Sequence, residues 1–367
     1  MAVHGSIEVQ QRRSIVRLSQ TGGWWTRSSL MRIVLASMLI AIVGVAPLQA
    51  AAQSGSSGNT LYLSALLKAA GSTVVSPTPT PLPGPTPQAL RMAIVGDSTQ
   101  DEYQAPENAR PAWNWVEVLA HERHLQLGDW GAWGGSRRTG YEFDWARSGA
   151  TSGDALSAQV PGVVAQLRSG EVTHVLMQIG INDFNANNLS LQIYAGVPIG
   201  RGPLDTIADN IISAARQINA VAPGRLIVAS IQDYLYLDLV PEPGRSAMPD
   251  PTGQKRVADA FAYVNERVRV ALQADGIAWW DFNAALKAEI DSRRQGDFIL
   301  IDGLLVDIRH RGGGPTNGFV DDAYMHPGTA ISALFARVHI DRMNAQWALG
   351  LAPLTDAEIR AAVIEGP

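Results

Sequence analysis

From about Ala89 onward, short apolar runs alternate with longer stretches of helical periodicity. Few folds satisfy that alternation, and the simplest is a parallel sheet whose strands are linked by helices packed on both of its faces. The runs Met92–Val95, Phe143–Ala146, Val172–Ile179, Leu226–Ile231 and Ile277–Trp280 read as strands. Helices are expected over Ala112–Arg123, led by Pro111, and over Asp154–Arg168, Leu204–Val221 and Thr252–Ala274, with a last one after Pro327. In the third of these, Leu204, Ile207, Ile211, Ala214, Ala215 and Ile218 recur at helical spacing before Pro223-Gly224 stops it. The expected fold class is therefore α/β, a three-layer α/β/α domain on a five-stranded, mainly parallel sheet. It should span residues 89–350, followed by a C-terminal tail over 351–367.

Two segments precede this domain. Residues 1–52 read as an export leader and signal peptide: Arg27 and Arg32 lead into the apolar run Ile33 to Ala46, then Pro47 and Ala50-Ala51-Ala52. The apolar run is shorter than the roughly 20 residues a spanning helix needs, so cleavage is the expectation, with a membrane anchor through residues 33–46 as the alternative. The long charged leader also admits Met31 as the true start in place of Met1. Residues 53–88 form a linker, whose SPTPTPLPGPTP stretch is suited only to an extended, solvated spacer. The expected location is outside the cytoplasm.

Charge and cysteine content remove whole classes of function. The chain carries 29 Lys+Arg against 34 Asp+Glu, a net charge of −5, with no long basic run, so nucleic acid is not an expected partner. With no cysteine there is no disulfide, thiolate nucleophile or cysteine-ligated zinc. No histidine pair has the spacing of a zinc helix, and no metal or cofactor is expected. The triple glycine Gly312-Gly313-Gly314 lacks a phosphate-binding context and reads as a loop.

In an open parallel sheet, functional residues gather beyond the carboxyl ends of the strands. There the chain places Gly96-Asp97-Ser98, Ser148-Gly149-Ala150 and Gly180-Ile181-Asn182-Asp183, and Asp321-Asp322-Ala323-Tyr324-Met325-His326-Pro327 precedes the final helix. A serine hydroxyl needs a positioned imidazole to take its proton, and His326 is the best-placed candidate. Acyl transfer also needs fixed donors for the developing oxyanion, a role open to an Asn amide and to backbone N–H groups at a glycine.

The four blocks in this order resemble the SGNH (GDSL) hydrolase family, and the resemblance runs from Met92 to about Trp347. It implies a flavodoxin-like hydrolase fold with Ser98 as nucleophile, His326 as base, and an oxyanion hole built from Ser98, Gly149 and Asn182. The third triad member departs from the family's Asp-x-x-His spacing, because Ala323 stands three before His326. Asp322 is the favoured orienter of the imidazole, with Asp321 or a backbone carbonyl as alternatives. Thr99, where many relatives have Leu, weakens a narrow lipase reading.

Several readings compete. Gly96-Asp97-Ser98 could simply cap a helix and Gly180–Asp183 could simply end a strand. An α/β-hydrolase would need Gly-x-Ser-x-Gly, but Gln100 replaces its second glycine. The leading function is a secreted serine esterase acting on a lipid or acetylated carbohydrate ester. A non-catalytic cell-surface binding protein on the same fold and an O-acyltransferase are the alternatives. Trp113, Trp115, Trp130, Trp133 and Trp145 cluster in sequence, by default for packing and otherwise as a stacking wall for a sugar or acyl group.

Overall fold

The computed structural model describes residues 90–134, 138–241, 244–320 and 326–367. The segments expected to be leader and linker lie outside the described residues.

Four strands form the central sheet: β1 (Met92–Val95), β4 (His174–Met177), β5 (Leu226–Ala229) and β6 (Ala278–Trp280), all parallel and adjacent in that order. The remaining strands are β2 (Trp130–Ala132), β3 (Thr139–Tyr141), β7 (Arg294–Gln295), β8 (Phe298–Ile301), β9 (Leu304–Arg311) and β10 (Asn317–Phe319). The longer helices are α1 (Trp115–Arg123), α2 (Val160–Ser169), α3 (Gly202–Val221), α4 (Pro251–Ala274), α5 (Phe282–Asp291), α6 (Thr329–Trp347) and α7 (Asp356–Glu365).

Strand alternation explains the three layers. Met92 and Ile94 enter one core with Leu176, Ile227 and Ala229, joined by residues of α1, α5, α6 and α7. Ala93 and Val95 enter the other with Val175, Met177, Leu226 and Val228, joined by residues of α2, α3 and α4. Every position of β1, β4 and β5 is buried, as expected of strands covered on both faces.

Three expectations are corrected. The central sheet has four strands, not five: Phe143–Ala146 runs beside β1, with Ile94 N–H donating to the Phe143 carbonyl and Trp145 N–H to that of Ile94, but it pairs only at Asp144. There the Asp144 carboxylate accepts the Ala146 N–H at 2.9 Å, bending the segment out of the ladder. Second, the stretch from Asp297 towards His326, where no strand was expected, contributes most of a four-stranded sheet in the order β10-β9-β8-β7, and the triple glycine, read as a loop, joins β9 to β10. Third, the tail over 351–367 contains α7, started by a Thr355–Glu358 capping box. Its Ile359 and Val363, with Leu354 before it, are buried in the core shared with α1 and α6. Among the described residues, no helix is long and apolar enough to cross a membrane.

Candidate active site

After Val95 the chain turns sharply, and side chains from other segments hold the turn. Gln159 clasps the Gly96 backbone, accepting its N–H at 3.0 Å and donating to its carbonyl at 2.8 Å. Asp97 accepts from both the N–H and the hydroxyl of Thr99 at 3.1 Å, so it has the structural role expected of a turn aspartate. Ser98 sits between them, 8% exposed. Beneath it lies an uncharged network: Gln100 donates to Gln178 at 3.0 Å, and Gln232 donates to Gln178 and to the Thr99 hydroxyl at 3.2 Å. Amides both donate and accept, so these glutamines join the ends of β1, β4 and β5 without burying a charge.

Asp101, on the same turn, fixes the second block. Its Oδ2 accepts the Ser148 N–H at 2.6 Å, and Arg147 lies 3.5 Å from its Oδ1. Gly149 follows with φ +84°, a left-handed conformation that glycine adopts without strain. The third block continues the chain of contacts: the Asn182 amide donates to the Ala150 carbonyl at 3.1 Å, and Asp183 accepts from the Ser152 N–H and hydroxyl at 2.7 Å. Gly180, at φ +127°, opens this turn where a Cβ would lie 2.7 Å from Ile231. Ser98, Gly149 and Asn182 are thus carried on three turns bonded in series.

His326 is buried and held from both sides. Its carbonyl accepts the Val320 N–H at 3.0 Å, while Gly328 N–H donates to the Gly318 carbonyl at 2.8 Å, tying the residues before α6 to β10. The ring stands edge-on to Tyr103, centroids 5.9 Å apart, and Arg110 Nη2 approaches Nε2 at 3.5 Å. A guanidinium only donates, so this contact requires Nε2 as acceptor and the proton on Nδ1, the tautomer a general base acting through Nε2 needs. Among the described residues, no hydrogen bond joins the imidazole to Ser98, a looseness common in sites without substrate. Asp321 and Asp322 lie outside the described residues.

Sequence reasoning missed Asp101, Tyr103 and Arg110. Each lies on the segment that follows Ser98, but its partner comes from a distant one. The Asp101 contact gives a direct test. Asp101→Ala is expected to lower kcat on a short ester about 10- to 100-fold with KM little changed, since losing one oxyanion donor outright costs roughly 10²–10³. Asp101→Asn keeps an acceptor for Ser148 and should recover most of that loss; equal kinetics for the two variants would refute the role.

Around this turn, Asp97, Asp101, Glu102, Glu117 and Asp144 are buried, and burial raises the pKa of each carboxyl, Asp97 and Glu117 to about 7. An acid with a raised folded-state pKa keeps a proton that the unfolded chain releases. Its stabilising contribution is complete below the unfolded value near 4 and is lost as pH rises through the folded one. His174 and His339, pushed by burial down to about 4, oppose this only below their ordinary 6.5. Thermal melts should therefore show Tm falling from about pH 6.5 to 8.5, since a tenfold change in proton affinity on folding is worth about 1.4 kcal/mol. A flat or rising Tm there would contradict this.

Among the described residues, no group of acidic and histidine side chains is arranged to hold a metal ion. No family model matches the chain, and no curated protein matches it. Its fold is similar to solved structures at low identity. A phospholipase A1 from Streptomyces albidoflavus is 16% identical with a TM-score of 0.45, over 71% of this chain and 100% of that one. An acetyl-xylooligosaccharide esterase from Geobacillus is 16% identical with a TM-score of 0.39, over 70% and 95%. A Bacillus subtilis protein is 15% identical with a TM-score of 0.43 over 72% of this chain, which spans only 58% of that protein's length.

Proposed function

We propose that this chain is an exported serine esterase of the SGNH type, cleaving carboxylic esters through an acyl-enzyme. The observation that carries this reading is the series of bonded turns that presents Ser98, Gly149 and Asn182 together, with His326 fixed beside Tyr103 of the nucleophile loop.

In the proposed reaction, the Ser98 hydroxyl attacks the ester carbonyl as His326 Nε2 takes its proton. The tetrahedral oxyanion receives the backbone N–H groups of Ser98 and Gly149 and the amide of Asn182. That amide has two hydrogens, and its bond to Ala150 uses one, which orients the other. His326 then protonates the leaving alcohol, and water repeats the sequence to release the acid. Arg110 must give up the Nε2 lone pair before proton transfer, and Asp322 is the proposed partner of Nδ1, with Asp321 next.

The test is hydrolysis of p-nitrophenyl acetate, butyrate and octanoate by the purified protein, with covalent labelling by a fluorophosphonate. Turnover together with labelling at Ser98 supports the reading. Folded protein that neither turns over nor labels rejects it. For export, sequencing the N-terminus of protein recovered outside the cell distinguishes cleavage near residue 52 from retention of residues 33–46 as an anchor.

A further inference from the structure

We infer that an aromatic groove walled in part by Gln104, next in sequence to the Tyr103 that packs on His326, is a glycan-binding subsite, which would make the substrate of the proposed esterase an acylated carbohydrate. The groove encloses about 650 Å³ between the β2–β3 ribbon and α1. Trp130 and Tyr141 are direct cross-strand partners whose rings stand perpendicular, centroids 5.0 Å apart. Trp130 is 45% exposed and so presents ring surface to the groove. Also lining the groove is Trp113, whose ring lies 4.6 Å from that of His121.

The chemistry of the lining selects among ligands. Among the described residues, no lysine or arginine lines the groove, so phosphate and nucleic acid find no counter-charge in that lining. The one carboxylate, Glu117, is buried and already accepts the backbone N–H groups of Tyr103, Gln104 and Asn114. Ala120 is the only aliphatic residue among the described residues of the lining, which suits an acyl chain poorly. What remains is aromatic faces bordered by hydrogen-bonding side chains. Gln104 uses its Nε2 on the Arg110 and Ala112 carbonyls, leaving its oxygen as an acceptor, and His121 and His124 add ring nitrogens. A pyranose ring has the matching surfaces: C–H groups that stack on an aromatic face and hydroxyls around its edge.

Position links the groove to catalysis. Gln104 in its wall directly follows Tyr103, the ring that faces His326. The groove and the proposed base are thus joined through one loop, with the buried Tyr103 between them in the chain of contacts. The sugar binding stands on the groove alone, whereas the acylated substrate rests on the esterase reading.

The experiment titrates the purified protein with xylohexaose, cellohexaose and chitohexaose by calorimetry, alongside Trp130→Ala, Tyr141→Ala and Trp130→Tyr. At least one oligosaccharide should bind. Its affinity should fall about tenfold or more in the alanine variants, as for an aromatic anchor, and be largely kept in Trp130→Tyr. Melting temperature should not change in the Trp130 variants and p-nitrophenyl acetate hydrolysis should not change in any of them, while release of acetate from the acetylated form of the bound glycan falls. The inference is overturned if no oligosaccharide binds, if both alanine variants bind as the parent does, or if these rings instead mediate binding to phosphocholine micelles. Glycan binding without any ester hydrolysis would leave the subsite standing and remove the esterase reading instead.

Discussion

Ser98→Ala and His326→Ala are each expected to reduce kcat on p-nitrophenyl esters by about 10⁴–10⁶, with the melting temperature little changed. Ser98 makes no hydrogen bond among those of the described residues, so its hydroxyl carries little of the turn's stability; Asp97, Thr99 and Gln159 hold the turn. His326 anchors its segment through a main-chain carbonyl that alanine keeps. In the proposed mechanism nucleophile and base act as one unit, so the double variant should be hardly worse than either single one. Steady-state rates on the three proteins, with melting curves, check this. Losses that multiply would mean that the two groups act independently, contrary to the mechanism.

The second large effect is at Asn182. Asn182→Ala removes the amide hydrogen proposed for the oxyanion together with the bond to Ala150, so kcat should fall roughly 10²–10³ while KM stays near its original value. Asn182→Asp has nearly the same shape but replaces the donor with an anion facing the developing negative charge, and should be worse than alanine. The Asp183 bonds to Ser152 hold the turn independently, so both variants should fold. If Asn182→Asp matched the parent enzyme, the oxyanion would have to be stabilised elsewhere.

Much of this was legible in the sequence because the relevant signals are local. The buried strands are continuous apolar runs, and β1 matches its expected range residue for residue. Each of the three strand-end turns lies where the fold rule places function. The β7–β10 sheet was missed although Ile299, Ile301, Val306 and Ile308 are buried at alternate positions, because charged residues and glycines between them dilute the pattern. Phe143–Ala146 reads as a strand but leaves the ladder, because Asp144 competes for its own backbone, which apolar patterning does not register. Asp101 and Arg110 could not be found from sequence, since a single polar residue gives no sign of which distant group it will meet.

The wide separation of nucleophile and base along the chain has a consequence for biosynthesis. Ser98 follows the first strand of the sheet, whereas His326 is placed only after β10 has formed and α6 has docked against α1 and α5. An unfinished or incompletely folded chain would present the serine turn without its base. In the proposed exported enzyme, hydrolytic activity would then switch on as the last third of the domain closes, which shields the cell's own esters while the protein is in transit.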